Sequence, residues 1–412
     1  MALRVDSDKL IQELKTLATF SSTPNPSVTR IVYSEEDRKA RAYFKKLCAD
    51  AGLLVREDAV GNIFARWQGI DPSLPAVGTG SHTDAIPNAG MYDGTVGVLG
   101  GLEAIRSLQR SGFKPRRSIE VLMFAAEEPT RFGIGCFGSR LLCGNLDSSA
   151  GSVLKDKGGK SLDDLRTAAG FSGGVETVKL PKNYYSAFIE LHIEQGPLLD
   201  REKIPLGIVT AIAAPASLRL YIEGEGGHAG GVLMPGRRDA LAAASEIILA
   251  VEKGALSTGS TDTVGTVGIC EVLPGAINSI PNNVILGIDV RDIDGKRRDA
   301  VLKKIDDSCA EISKRRNVSV KKEILNADDP ATCDLQLIEA LSRSAKKASL
   351  HYKKMVSRAY HDSLFMSRIA PTTMLFIPCK NGYSHRPDEY ASPEAISNGV
   401  LVLAHALAEC AG

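Results

Sequence analysis

Short apolar runs alternate with helix-length stretches through the first half of the chain. Residues 74–81 (LPAVGTGS) are small and apolar, and they end at His82. A Gly-containing loop follows. Val98, Leu102 and Ile105 then recur on one helix face, predicting a helix over 95–110. Residues 118–126 (SIEVLMFAA) are almost continuously apolar, as in a strand covered on both faces, and they stop at Glu127 and Glu128. Residues 186–192 (SAFIELH) give another strand, ending on His192. This alternation predicts an α/β fold, a sheet covered by helices.

The pattern changes near residue 213. Leu218, Leu220 and Ile222 alternate with Arg219, Tyr221 and Glu223, the period of a half-exposed strand. A helix over 237–253, strands over 263–272 and 283–291, and a helix over 296–316 complete a compact α+β unit with a mostly antiparallel sheet. α/β character resumes with a helix over 334–350 and the apolar run 371–378. The chain therefore divides into a larger domain, 1–212 with 327–412, and an insert, 213–326. The stretch 326–331 (NADDPA) is the expected return hinge.

Composition narrows the ligand class. The chain has 412 residues, 43% of them hydrophobic, enough for two cores. Fifty basic side chains face 49 acidic ones, leaving a net charge of +1. That balance offers neither a nucleic-acid groove nor a polybasic membrane patch, and it points to a small solute or a protein partner. No apolar run approaches the roughly 18 residues of a membrane span. The opening MALRVDSDKL lacks the apolar centre of a secretion signal. Eight cysteines are scattered without a CxxC pair, so buried free thiols are expected rather than a disulfide framework. Trp67, the only tryptophan, is assigned to packing.

The chemistry concentrates at strand ends, where open α/β sheets place their sites. His82 lies in GSHTD, with Asp84 placed to fix its imidazole. Asp93 lies in MYDGTVG, where helix capping is the plainer role. Glu127 and Glu128 are adjacent carboxylates closing a buried strand. Two like charges there are costly without a cation, and a cation lets one carboxylate bind while the other moves protons. His192 lies in LHIEQGP and His385 in GYSHRPDE, each after an apolar run. A nitrogen and oxygen donor set without cysteine suits Mn²⁺ or Zn²⁺. A cysteine nucleophile at Cys136 or Cys143 is the alternative of a different class, although neither has a histidine near it in sequence.

In this order and context, the motifs resemble the M20-type metallopeptidase clan, in its branch of ureido-group amidohydrolases. The match runs nearly end to end. The resemblance implies two metal ions held by His82, Asp93, Glu128, His192 and His385, with Asp93 bridging and Glu127 as general base. HTDAIPNAGMYDG (82–94), EEPTRFGIGCFGSR (127–140), GHAGGVLMP (227–235), GAINSIPNN (275–283) and SRAYHDSLFM (357–366) are similar to plant-type ureidoglycolate amidohydrolases. That likeness implies hydrolysis of a ureido amide in purine breakdown. Ureidoglycolate is the expected substrate, with allantoate or an N-carbamoyl-L-amino acid as the alternative. It also implies Mn²⁺ before Zn²⁺, a homodimer formed through the inserted lid, and residence in the endoplasmic reticulum. His228, flanked by Gly226, Gly227 and Gly230, resembles a catalytic residue reaching the substrate from the partner's lid. Asn278 and Arg291 resemble substrate-binding residues. Gln195, Tyr360 and His361 are further candidates to line the pocket.

Overall fold

A computed structural model describes residues 3–412. The chain forms two compact units. The first comprises the chain up to Thr210, Thr332–Ser357 and His361–Gly412; the second comprises Ala211–Ala331 and Arg358–Tyr360.

The first unit is built on a nine-stranded mixed sheet. Its centre is a parallel run in the spatial order Thr372–Ile377, Tyr185–Ile193, Ala76–His82, Ile119–Phe124. Ile63–Trp67 and Leu54–Glu57 continue it antiparallel. Ala76–His82 and Ile119–Phe124 are buried at every position, which explains why they read as apolar runs rather than alternating ones. The helix predicted over 95–110 is present as Thr95–Arg110, but its polar side is buried as well. Every residue from Thr95 to Leu108 is buried, so the one-face periodicity understated its burial. The predicted loop before it contains a short strand, Ala85–Ala89, paired antiparallel with Val28–Arg30.

The second unit has a four-stranded antiparallel sheet in the order Val264–Leu273, Asn283–Asp292, Ala214–Glu223, Ser319–Ala327. Asn283–Asp292 alternates strictly between half-buried and buried positions. Its buried side chains Val284, Leu286, Ile288 and Val290 join Ile247, Val251, Val301 and Ile305 of the helices Ala240–Leu256 and Gly295–Arg316 in one core. The first helix begins later than predicted, because the Asp239 carboxylate accepts the Leu241 and Ala242 amides and caps it there. Ser319–Ala327 lay outside the predicted elements. It pairs with Ala214–Glu223 as far as Ala327, carrying the unit past residue 326. Arg358 pairs with Asp262, and the Tyr360 hydroxyl donates to Asp328, which accounts for the short segment 358–360 belonging to this unit.

Among the described residues, no helix is long and apolar enough to cross a membrane. All eight cysteines are free, and only Cys270 is exposed.

Candidate metal centre

Four neighbouring parallel strands deliver the predicted residues to one edge of the sheet. His82 ends Ala76–His82, and His192 lies near the end of Tyr185–Ile193. Glu127 and Glu128 follow Ile119–Phe124, and His385 follows Thr372–Ile377. Asp93 enters from the loop before the Thr95–Arg110 helix. It does not cap that helix: the cap residue is Gly94, which makes no side-chain cap bond. Gly94 has φ +66°, and a Cβ there would lie 2.4 Å from the His82 ring. Only glycine lets the loop turn this close to the imidazole.

Asp93 occupies the middle of the cluster. Its Oδ1 lies 3.2 Å from His192 Nε2 and 3.6 Å from His82 Nε2. Its Oδ2 lies 3.1 Å from His385 Nε2, and that nitrogen lies 3.3 Å from Glu128 Oε1. The residues thus form two groups able to hold a cation, His82–Asp93–His192 and Asp93–Glu128–His385, which share Asp93. Glu127 Oε2 is 3.8 Å from His82 Nε2, so both members of the Glu pair turn to the same site. Ala126, with φ +51°, makes that turn between strand and pair.

The imidazoles are oriented for ligation. His82 Nδ1 faces the Asp84 carbonyl at 3.0 Å, and His192 Nδ1 faces the Ile193 carbonyl at 2.9 Å. A carbonyl only accepts, so each Nδ1 carries hydrogen and each Nε2 points into the cluster. Asp84 therefore faces His82 with its backbone oxygen, and its carboxylate Oδ1 lies 3.6 Å from the same ring nitrogen. The carboxylate also accepts the amides of Glu127 and Glu128, at 3.2 and 3.0 Å, and sets the direction of that pair.

The electrostatics fit a cation. Burial raises the Glu127 carboxyl well above its ordinary range, with Glu128, Asp362 and Asp93 adding to the effect. Burial and Asp93 likewise raise Glu128. Burial opposes charge on Asp93 too, yet hydrogen bonds from His192, His385 and His82 hold it well below the usual carboxylate range. Burial disfavours a charged His82, but Glu127, Asp84 and Asp93 outweigh it and raise its pKa. His385 is pushed up to about 11 by Asp93 and Glu128. Clustered carboxylates here draw protons onto the imidazoles; a divalent cation would supply that positive charge instead.

A supporting bracket is formed by Glu389, the last residue of the GYSHRPDE motif, to which the sequence assigned no role. The buried Glu389 accepts the amides of Tyr92 and Asp93, at 2.8 and 3.0 Å, and the Ser384 hydroxyl at 2.7 Å. Burial and Asp93 push its pKa up to about 7. Gln195, predicted to line the substrate pocket, donates to Asp93 Oδ2 at 3.0 Å and to Ser384 Oγ at 3.1 Å. Gln195 and His385 both have left-handed backbone, φ +54° and +59°, a strain that tends to collect at functional sites. His361 packs edge-on behind His192, with ring centroids 4.6 Å apart. Glu194 accepts the amides of Leu198 and Leu199 and caps the short helix Leu198–Glu202.

The remaining candidates belong to the second unit. His228 is exposed, in a two-residue strand paired with Ser279–Ile280. Its Nδ1 accepts the amides of Gly230 and Gly231, both at 3.1 Å, which leaves the ring hydrogen on Nε2. Asn278 adjoins it, its carbonyl accepting the Ala229 amide at 2.9 Å. Arg291 forks onto Asp289 at 2.7 and 3.3 Å, while Asp292 pairs with Arg297. The Tyr360 hydroxyl is engaged by Asp328.

Neither cysteine is arranged as a nucleophile. Cys136 is buried with its Sγ 3.4 Å from Glu127 Oε1. Burial and the carboxylates of Glu127 and Asp362 raise its thiol pKa, the reverse of activation. Burial also raises the Cys143 thiol.

Comparison with known proteins agrees with this geometry. The pattern of peptidase family M20/M25/M40 matches residues 78–409. A ureidoglycolate hydrolase of Oryza sativa subsp. japonica is 57% identical over 98% of this chain and 84% of its own length. One from Arabidopsis thaliana is 54% identical over 99% of this chain and 87% of its own. A crystal structure of AtUAH in complex with glyoxylate superposes with a TM-score of 0.90, at 54% identity, covering 99% of this chain and 98% of that one.

Proposed function

The chain belongs to peptidase family M20/M25/M40, and we propose that it hydrolyses the ureido amide of ureidoglycolate. The observation carrying this reading is the similarity, over 98% and 99% of the chain, to two plant ureidoglycolate hydrolases. The His and carboxylate cluster supports it, because a metal-dependent hydrolase needs such a donor set.

His82, Asp93, Glu128, His192 and His385 are the proposed ligands of two divalent ions, Mn²⁺ before Zn²⁺, with Asp93 shared between them. When bound, such ions supply Lewis acidity, which acidifies water and polarises a carbonyl. Glu127 takes the proton of the attacking water and passes it to the leaving nitrogen. Its Oε2 lies 3.8 Å from His82 Nε2, at the edge of the cluster where the attacking water would sit. His228 donates its Nε2 hydrogen to the developing oxyanion. Arg291 and Asn278 anchor the substrate carboxylate, which competes with Asp289 for the guanidinium. Ureidoglycolate and water give ammonia, carbon dioxide and hydroxyglycine, and hydroxyglycine breaks down to glyoxylate and a second ammonia.

The domain division, insert against remainder, is proposed to separate substrate capture from cation binding. A homodimer through the second unit is supported by its exposed apolar positions Ile269, Leu273 and Ile277. Residence in the endoplasmic reticulum rests on resemblance to plant enzymes. Co-migration of the tagged protein with cytosolic markers alone would reject it.

Ammonia and glyoxylate release from ureidoglycolate, allantoate and N-carbamoyl-L-amino acids tests the substrate. The expected result is ureidoglycolate preferred by kcat/KM. A preference for allantoate or a carbamoyl amino acid would overturn the substrate while leaving the hydrolase class intact.

A further inference from the structure

We propose that Glu389 is a positioning residue that sets the spacing between the two cation-binding groups. The inference rests on the ligand assignment proposed above. Glu389 is 5% exposed, and its oxygens meet two amides and a hydroxyl rather than a lysine or arginine. A buried carboxylate without a cationic partner is costly to keep for stability alone. Its hydrogen bonds point to a geometric role instead.

Oε1 accepts from the backbone of Tyr92 and of Asp93, at 2.8 and 3.0 Å. Oε2 accepts from Ser384 Oγ at 2.7 Å, and that hydroxyl lies 3.2 Å from Asp93 Oδ2. Ser384 precedes His385, whose backbone is left-handed with φ +59°. One carboxylate therefore ties the loop bearing Asp93 to the loop bearing His385. The chain also leaves room for it: a Cβ at Gly90 would lie 2.3 Å from Glu389 Cβ. Because Asp93 belongs to both cation groups, shifting it relative to His385 would alter both, and the Asp93–Glu128–His385 group most.

The test is equilibrium dialysis of chelator-stripped full-length protein against Mn²⁺. Folding of each variant is checked by circular dichroism. Glu389→Ala is expected to weaken Mn²⁺ binding roughly 10- to 100-fold, the range for groups that orient ligands. Glu389→Gln keeps an oxygen for both amides and is expected within about threefold of wild type, since geometry rather than charge is at stake. Ser384→Ala leaves the Tyr92 and Asp93 amide bonds to Glu389 in place and removes the hydroxyl that joins Glu389, Asp93 and Gln195 at the His385 loop. It should fall between the two, and it decides the matter if Glu389→Ala does not fold. Wild-type Mn²⁺ binding by a folded Glu389→Ala, or by Ser384→Ala in its place, would overturn the proposal. So would equal weakening by Ala and Gln. His385→Ala serves as the control: unchanged binding there would overturn the ligand assignment itself.

Discussion

The cation-binding cluster and the residues around His228 are built in opposite ways. His82, Asp93, Glu128 and His192 are buried and held by backbone or carboxylate partners, and only His385 of the five is exposed. His228 is exposed in a two-residue strand, and Arg291 is half-buried and leans on an acidic neighbour. Ligands must converge on a point, so their supports are rigid and numerous. Residues that meet a substrate must be reachable from solvent, so their supports are few. The contrast accords with the proposed roles, cation binding and the base in the first unit and groups that meet the substrate in the second.

Substitutions should separate those roles by size. Glu127→Gln is expected to lower kcat by about 10²- to 10⁴-fold, the usual worth of a placed general base. Metal analysis of that variant should still find the wild-type ion content; near-wild-type turnover would remove Glu127 from the base's role. His228→Ala is expected to cost about 10²- to 10³-fold in kcat, as for other oxyanion donors, with ion content and melting temperature unchanged. Mixing it with Glu127→Gln should restore part of the activity if His228 acts across a dimer. Verified mixed dimers without recovery would confine it to its own chain. Arg291→Ala is the smallest of the three. It should lower kcat/KM for a carboxylate-bearing substrate by roughly 10- to 100-fold, mainly through KM, because a charge-assisted fork contributes about 1.5–3 kcal/mol. An effect on kcat alone would move Arg291 into the chemical step.

The proposed ligand residues stand out in the sequence because each closes an apolar strand or sits in a short loop with a marked motif. Taken singly, His82 reads as an ordinary strand-end residue, and only the family resemblance separates Glu128 as proposed ligand from Glu127 as proposed base. The Glu389 bracket was not legible, since it forms only when Tyr92 and Glu389, 297 positions apart, fold together. Asp84 faces His82 with both its carbonyl and its carboxylate, but its second task, accepting the Glu127 and Glu128 amides, carries no local mark in the sequence. The strand Ser319–Ala327 escaped notice because it is an edge strand. Lys321, Lys322 and Glu323 lie exposed along it, which suits an edge but erases the alternating pattern. The Thr95–Arg110 helix shows the reverse failure: its small Gly and Ala residues are buried as fully as its leucines, so one apolar face understated its surroundings.

The most direct measurement follows ammonia release from ureidoglycolate as chelator-stripped protein is titrated with Mn²⁺, with bound ion counted at each step. The expected outcome is no turnover without ion and full activity as two ions bind per chain. Full turnover by protein stripped of divalent ions would contradict a cation-dependent reaction at His82, Asp93, Glu128, His192 and His385.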